Sequence, residues 1–320
     1  MAKMDLKLAN AEKTWQSAKV QKEIQKLYKD LADRASKELA STMPNESVSA
    51  ALRKVYLDEY VKNLRAEISR MNRDISTSIQ GGMAATSWGT VNSVNGFMEN
   101  AGLTLTGAFS HVPTDVVSQL ISGKVYGGNW TLSRSLWKGG VKTTHDVQSV
   151  VAKGIAEQKS AYDIAKDIEK YLNPAAKKDW EWSKVYPGTN KKVDYSAQRA
   201  ARTLIQHSYQ LSYRRMVQDN PFVDGVIWHS AFNERSCQLC MDRDGTIYKV
   251  GNEPLDHPMG LCYLESYIPK SMEEIADELG DWVDGNASPV FNHRMERYIN
   301  SAYNGKVPKK YSKILVDNRK

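Results

Sequence analysis

The sequence contains little cysteine, with 3 residues among 320. It also contains no run of 18 apolar residues, so we expect neither a transmembrane helix nor a membrane partner. The beginning of the chain has no signal-peptide pattern, which favours a reducing compartment where disulfides are uncommon. The positions of the three cysteines therefore become the most informative feature of the chain.

Motifs of several enzyme classes are absent as well. The sequence has no His-Glu-x-x-His, no Gly-x-Gly-x-x-Gly and no phosphate-binding loop, and without a Glu-x-Glu pair it gives no support to ADP-ribosyltransfer. Five histidines, His111, His145, His207, His229 and His293, stand apart from any such motif, and we interpret them as structural. The sequence therefore predicts a protein that is not an enzyme.

Composition and charge are those of an ordinary globular protein. Hydrophobic residues make up 41% and charged residues 25%, and a chain of this length can bury a core and hold two or three domains. The net charge is +7 and the isoelectric point is near 9.0. This mild basicity is compatible with a solvated surface or with a surface that faces DNA or an acidic partner.

All three cysteines lie close together in the sequence, with a histidine between them. Cys237, Cys240, His257 and Cys262 follow the spacing C-x2-C-x16-H-x4-C. This set of four Cys and His ligands is typical of a structural zinc site that has no open position for water. Two alternatives are a disulfide that leaves one odd thiol, and a former zinc site that packing now holds. Asp256 either orients the imidazole of His257 or begins a proline-containing turn.

The residues around this cluster predict a small antiparallel sheet. Residues 225–232 are rich in β-branched and aromatic side chains and predict a strand, after which the Cys-x-x-Cys lies in a turn. Asp244 and Gly245 form a hairpin dipeptide before a return strand at 246–250, and residues 262–268 predict a third strand. A sheet of this size buries too little apolar surface to be stable alone, so it requires a metal or packing against helices.

The first 80 residues predict two long amphipathic helices, separated by a break at residues 43–46. Apolar residues recur at steps of three and four, at Ile24, Leu27, Leu31, Ala35 and Leu39, and then at Leu57, Tyr60, Leu64, Ile68, Met71, Ile75 and Ile79. Such narrow stripes favour the core of a helical bundle, and a seam between subunits is the alternative.

Residues 81–110 differ from both flanks, because Glu99 is their only charged residue. Gly81 and Gly82 predict the end of the second helix, and we expect the segment to be loosely packed, helical and buried by another subunit. A new helix is predicted to begin at residues 112–115 and to end at 127–129. Further helices are predicted at 131–153, 160–172 and 196–219, with a charged connector at 177–193.

The predicted fold class is therefore mainly α, with a small, zinc-tied antiparallel β module near the end of the chain (α+β). We predict four parts. They are an N-terminal helical hairpin with the uncharged segment (1–110), a central helical domain (111–219), the β module (220–270), and a C-terminal helix with a basic tail (271–320).

Basic residues concentrate in two places. Residues 303–320 contain six Lys or Arg against the single Asp317, and such a tail is either disordered and solvated or binds phosphate. The second place is the predicted helix at 196–219, where Arg199 and Arg202 share one face. The candidate phosphate contacts are Arg199, Arg202, Arg214, Arg215, Lys306, Lys309, Lys310 and Lys313.

The segment from Trp228 through the Cys-x-x-Cys to Cys262 resembles the C-terminal module of phage head-morphogenesis proteins, the Mu F-like minor head (minor capsid) proteins. That module has an Arg-x-Cys-x-x-Cys, an Asp-Gly turn and a His-Pro-x-Cys element. Upstream, residues 200–209, 154–165 and 129–137 are similar to the helices that precede it, so that the resemblance covers about residues 125–268. Leu204 replaces a frequent Glu, and the last element lacks a second Cys.

The resemblance implies a structural minor head protein that acts in procapsid assembly at or near the portal. Its partners would be the portal protein, the major capsid protein or both, together with packaged DNA, and it could self-associate. It would be assembled in the host cytoplasm and reside in the virion, in the capsid interior or portal region. The alternative is a DNA-binding or nuclease-type protein that uses the Cys/His module and the basic helix, and a steep fall of DNA affinity with salt would favour it.

Overall fold

The computed structural model of the chain describes residues 2–42, 50–128, 130–157, 159–175, 192–232 and 236–319. The helices before the sheet are α1 (Lys7–Thr42), α2 (Ala50–Asn100), α3 (Val112–Ile121), a 3-10 turn (Lys124–Tyr126), α4 (Leu132–Ala156), α5 (Ala161–Leu172) and α6 (Tyr195–Val217). They are followed by β1 (Gly225–His229), α7 (Gln238–Arg243), β2 (Ile247–Tyr248), β3 (Tyr263–Tyr267), α8 (Met272–Val283), α9 (Pro289–Ala302) and α10 (Lys309–Asp317). The predicted fold class, mainly α with a small antiparallel sheet, is confirmed.

The chain forms two compact units. The first comprises residues 1–17, 81–120 and 202–320, and the second comprises residues 18–80 and 121–201. The predicted division into four consecutive parts stays a prediction, because compactness alone does not identify independently folding domains.

The second unit contains the two predicted apolar stripes. Every residue of both stripes is buried except Leu27 and Leu57, which are half-buried, so the stripes form core within the chain as expected for a bundle. Asn63 donates to Glu38 at 2.8 Å and Arg34 pairs with Glu67 at 2.9 Å, which joins the outer faces of α1 and α2. The predicted break at 43–46 lies outside the described residues.

Two glycines of α4 allow neighbouring helices of the same unit to pack closely against it. A Cβ on Gly140 would lie 2.8 Å from Ile68 of α2, and a Cβ on Gly154 would lie 2.5 Å from Ile164 of α5. Thr131 and Ser160 begin α4 and α5 as N-cap residues that accept from a backbone N–H three residues on. The helices predicted at 131–153, 160–172 and 196–219 are thus confirmed, whereas the connector at 177–193 lies almost wholly outside the described residues.

The predicted end of the second helix at Gly81 and Gly82 is wrong. Helix α2 continues without interruption to Asn100, and a Cβ on Gly81 would meet nothing within 4 Å. Beyond the glycines, Met83, Val91 and Val94 are fully buried within the chain, where their packing offsets the roughly 1 kcal/mol by which a helical glycine is less favourable than alanine. The expected burial of this segment by another subunit is therefore not needed to cover its apolar side.

Helix α3 begins where the sequence predicted, with Pro113 in its first turn, but it ends earlier than expected. It stops at Ile121, and Gly123 then adopts a left-handed conformation with φ of 73°. The carbonyl of Trp130 approaches Gly123 so closely that a Cβ there would lie 1.6 Å from its oxygen. The chain therefore first turns at Gly123, and the predicted glycine pair, Gly127 and Gly128, forms a second left-handed turn after the 3-10 turn.

The sheet has the order β2-β1-β3, and both pairings are antiparallel. Gly225 is paired with Tyr267 and His229 with Tyr263, whereas β1 meets β2 at only two positions. The predicted three strands are confirmed, although each is shorter than expected. Val226 and Trp228 are fully buried on the sheet face that packs against the rest of the first unit.

The C-terminal region forms three helices rather than one helix followed by a disordered tail. Ser271 and Glu274 make a capping box that begins α8, and Ser288 caps α9. In α10, Tyr311 and Leu315 are buried, and Tyr311 donates to the carbonyl of Thr104 at 2.5 Å. These apolar anchors fold the basic tail onto the first unit, so the disordered alternative for the tail is wrong, whereas phosphate binding stays a prediction.

Candidate metal centre

A hairpin supplies the two cysteines of the Cys-x-x-Cys motif. Cys237 immediately precedes helix α7 and Cys240 lies in its first turn, so the motif begins a short helix rather than lying in the turn that the sequence predicted. After the helix, Gly245 adopts a φ of 73° and donates to the carbonyl of Trp228 at 2.8 Å. This turn returns the chain to β2 and fixes both cysteines at one end of β1.

The loop from Asp256 to Cys262 supplies the other two candidate ligands, and a single carboxylate organises it. Asp256 is 3% exposed and accepts the backbone N–H groups of His257 at 2.9 Å and Cys262 at 3.0 Å. A Cβ on Gly260 would lie 2.2 Å from this carboxylate, so the loop closes tightly around it. Asp256 thus binds the backbone of the loop and does not contact the imidazole of His257 as one prediction supposed.

Helix α6 holds the same loop with four polar side chains at helical spacing. Gln206 donates to Asp256 at 3.1 Å and to the carbonyl of Cys262 at 2.5 Å. The Nε2–H of His207 donates to the carbonyl of Asp256 at 2.8 Å. Gln210 accepts the N–H of Asp256 at 2.9 Å, and Thr203 accepts that of Met259 at 3.1 Å. Residues 203, 206, 207 and 210 lie on one helix face, so the loop rests on a rigid polar platform.

Sequence reasoning missed this platform and interpreted His207 as an isolated residue. The signal was present in the sequence, since uncharged polar residues recur at i, i+3, i+4 and i+7 between apolar ones. Burial lowers the pKa of His207, with the hydrogen bond to the Asp256 carbonyl acting in the opposite direction. His207 is therefore a neutral structural residue beneath the candidate metal ligands.

The four side chains predicted as ligands come together. Ligand atoms of Cys237, Cys240 and His257 lie within 4.8 Å of one another, and the same holds for Cys240, Asp256 and Cys262. The Nε2 of His257 faces the Sγ of Cys237 at 3.4 Å, whereas its Nδ1 lies 3.1 Å from the carbonyl of Pro258. Because a carbonyl can only accept, Nδ1 carries the proton and Nε2 presents its lone pair to the cluster. Cys237, Cys240, His257 and Cys262 can therefore hold a metal ion.

The three sulfur atoms differ in their electrostatic surroundings. Burial raises the pKa values of the Cys240 and Cys262 thiols, and the neighbouring cysteines and Asp256 add to the effect at Cys240. The backbone N–H of Cys240 and then its side chain lower the pKa of Cys237. Two of the three thiols are thus neutral at neutral pH unless a cation binds, and a bound metal would displace their protons.

The donor set and its surroundings fit zinc. Three sulfurs and one imidazole nitrogen form a ligand set of structural zinc sites. The indole N–H of Trp228 is buried without an oxygen or nitrogen acceptor among the described residues, and it lowers the pKa of the Cys262 thiol, as the backbone N–H of Ala231 does. A small cavity of about 30 Å³ is lined by Cys240, His257 and Cys262. Both N–H groups therefore favour a thiolate at Cys262.

Lys13 lies close to the cluster, although nothing in the sequence indicated it. It is 5% exposed, its Nζ donates to the carbonyl of Cys262 at 3.4 Å, and the ammonium lies 4.6 Å from the ring centre of Tyr209. Burial lowers its pKa to about 8, against the opposing charges of Asp256 and Cys262. Since 249 positions separate Lys13 from Cys262, only the tertiary fold brings them together.

The eight candidate phosphate contacts differ in their exposure and in their ion pairs. Arg214 pairs with the buried carboxylate of Glu253, and Arg215 pairs with Asp115 at 3.5 Å. Arg199 is exposed and Arg202 lines the small cavity beside Cys240. Lys306, Lys309, Lys310 and Lys313 are all exposed on and before α10, and they belong to none of the ion pairs that the described residues make. The lysines are thus available to an anion, and phosphate binding by all eight stays a prediction.

Comparison with known proteins gives no relative, since no protein-family model, no curated protein and no solved structure matches the chain. Within the described parts of the chain, none of the helices has both the length and the apolar character needed to cross a membrane.

Proposed function

We propose that this chain is a structural minor head protein of a tailed phage, which acts in procapsid assembly at or near the portal. In this proposal Cys237, Cys240, His257 and Cys262 hold a zinc ion that stabilises the small β module. The observation that carries the proposal is the convergence of these four side chains from two separate loops, with the sulfur of Cys240 within 4.8 Å of the ligand atoms of the other three.

A structural role for the metal is favoured over a catalytic one. Four protein ligands complete a tetrahedron and leave no position at which zinc could activate water. The nearest carboxylate, that of Asp256, already accepts from two backbone N–H groups and from Gln206, so it is not a free general base. The zinc would supply folding free energy to a sheet that has only three short strands.

The segments that carry the family resemblance fall on helices of this chain and on the Cys/His module. The segments that resemble minor head proteins correspond to α4, the region between α4 and α5, α6 and the Cys/His module. The departure at Leu204 has a structural account, because Leu204 is fully buried on α6, where a Glu would lack solvent. The last element has one Cys where the family often has two, and it still places Cys262 beside Cys240.

Protein partners are supported by an exposed apolar groove in the first unit. Leu8, Trp15 and Trp88 are 80%, 55% and 44% exposed, and they line a groove of about 980 Å³ between α1 and α2. Exposed aromatic groups of this kind are enriched at protein interfaces. The groove lies within residues 1–110 apart from Met272, which is the region proposed to dock the portal or the major capsid protein.

Contact with packaged DNA is supported by the lysines of α10. The first turn of this helix has no acidic residue, and Lys309 and Lys310 lie beside its free backbone N–H groups. Such a cation-rich surface attracts phosphate without sequence preference. The second candidate function is that of a DNA-binding or nuclease-type protein. These lysines support binding of DNA, but they give no support to cleavage of DNA.

Quantitative mass spectrometry with cross-linking on purified particles and procapsids tests the proposal. We expect a few copies per particle, cross-linked to the portal or to the major capsid protein through residues 1–110. Absence from both particles and procapsids would overturn the proposal that the chain is a minor head protein. Metal-dependent cleavage of DNA by the purified chain, abolished by chelator, would instead establish the nuclease alternative.

A further inference from the structure

The segment at residues 2–17, which we name the strap, packs against the candidate metal centre within the first unit. Its central contact is Lys13, whose ammonium donates to the carbonyl of Cys262. Lys13 is 5% exposed, although the strap residues beside it, Thr14 and Trp15, are exposed. A buried ammonium requires hydrogen-bond and charge partners, so this contact is not a passive surface contact.

The peptide groups of Cys262 form the point at which the strap, the platform and the metal ligands meet. The carbonyl of Cys262 accepts from both Lys13 and Gln206, while its N–H donates to Asp256. The carbonyl that accepts from Lys13 and the sulfur that would bind the metal belong to the same residue, so Cys262 links Lys13 to the candidate ligand set.

Charge couples the two sites as well. The groups that face the Lys13 ammonium are the Tyr209 ring, the Asp256 carboxylate and the Cys262 side chain. The Asp256 carboxylate also accepts from N–H groups of the loop and from Gln206, which share its charge. Three thiolates with one divalent zinc leave a single net negative charge, and Lys13 is placed to balance it.

The strap also has contacts that do not involve the candidate metal ligands. Lys3 pairs with Glu265 at 3.1 Å, but its side chain is 78% exposed, and exposed ion pairs contribute little. The backbone N–H of Ala2 donates to the carbonyl of Lys270 at 2.5 Å. The buried apolar side chains of Met4, Leu6 and Ala9 hold the first half of the strap, whereas Lys13 supplies the contact that links its second half to the metal centre.

We infer that Lys13 is a positioning residue of the metal centre and that the seating of the strap depends on the bound metal. The inference rests on the proposed zinc site and not on the proposed phage function. Because the two events share one residue, each stabilises the other by the same factor. Removing zinc would loosen the strap around Lys13, and removing Lys13 would weaken zinc binding.

The test uses the full chain as wild type, Lys13→Met and Lys7→Met. Lys7 is an exposed lysine of the same helix, which makes its variant a matched control. Zinc affinity is measured by competition with a chromophoric chelator, and hydrogen exchange of residues 2–17 is followed by mass spectrometry with and without zinc. We expect Lys13→Met to weaken zinc binding about tenfold, as loss of an outer-shell partner does, and Lys7→Met to leave it unchanged.

In the wild type we expect zinc removal to accelerate exchange in the strap, and this measurement needs no variant to fold. A wild type that binds one zinc per chain, with strap exchange independent of zinc, would overturn the inference and leave the zinc proposal standing. Unchanged zinc affinity in a folded Lys13→Met would overturn it too. A wild type that binds no zinc would overturn both.

Discussion

The backbone N–H of Cys262 donates to the carboxylate of Asp256, which lies six residues earlier, at 3.0 Å. The same carboxylate accepts the N–H of His257 at 2.9 Å. One buried carboxylate thereby sets the positions of two candidate metal ligands, and platform residue Gln206 holds it in turn. The metal centre thus depends on a neighbour that is not itself required as a ligand.

Replacing Asp256 by alanine is expected to destabilise the protein. Three N–H donors would lose a charged acceptor in a buried loop, at a cost of about 3 kcal/mol in the free energy of unfolding. Urea unfolding of Asp256→Ala and of Asp277→Ala, an exposed acid on α8, checks this. Equal stability of the two variants would show that the loop does not need the carboxylate.

Continuity of α2 through Gly81 gives a second prediction. A Cβ at Gly81 would meet nothing, so Gly81→Ala should stabilise the protein by up to about 1 kcal/mol. Gly81→Pro should destabilise it by about 3 kcal/mol, because proline removes a helical hydrogen bond. Thermal unfolding of both variants measures this, and tolerance of the proline would mean that the helix ends there.

The buried His207 predicts a dependence of stability on pH. Its pKa in the folded state is lowered by burial, whereas in the unfolded state it is about 6.5. Below that value the unfolded chain binds a proton that the folded chain does not, so the contribution of His207 to stability is lost as the pH falls. Urea unfolding in excess zinc between roughly pH 7 and 5 should show a flatter profile for His207→Gln than for the wild type.

The exposed His293 provides the control for that experiment, because His293→Gln should reproduce the wild-type profile. If His207→Gln followed the wild-type profile as well, the acid sensitivity would have to come from other groups.

Four lysines of the C-terminal region are predicted to carry DNA binding. Changing Lys306, Lys309, Lys310 and Lys313 together to Gln should reduce the slope of log affinity against log salt by about 4, on the basis of roughly one counterion per phosphate contact. Fluorescence anisotropy with a labelled duplex at several salt concentrations measures the slope. A matched variant changes four exposed lysines of α1 to Gln, at Lys22, Lys26, Lys29 and Lys37. An equal effect of the two variants would indicate net charge rather than a defined surface.

The sequence predicted those features whose signal lies within a short stretch of the chain. The apolar stripes of α1 and α2, the hairpin dipeptide at Asp244 and the spacing of the four candidate ligands all concern neighbouring residues, and the structure agrees with them. The end of α2 was wrong because tertiary packing around Met83 overrides the low helix propensity of Gly81.

Other features had no local signal that could be interpreted. Lys13 belongs to the metal centre only through a contact across most of the chain, and its helix looks ordinary in sequence. Tyr311 and Leu315 fold the basic tail, but one pair of apolar residues four positions apart is too short a pattern to predict a docked helix.

The zinc content of the purified chain tests the central claim most directly, measured by elemental analysis together with X-ray absorption at the zinc edge. We predict one zinc per chain, bound by three sulfurs and one nitrogen, in the wild type. Cys240→Ser, which removes the buried central ligand, should lose the metal and unfold the β module. A wild type without metal, or a Cys240→Ser variant with the same zinc content and the same thermal unfolding, would contradict the account.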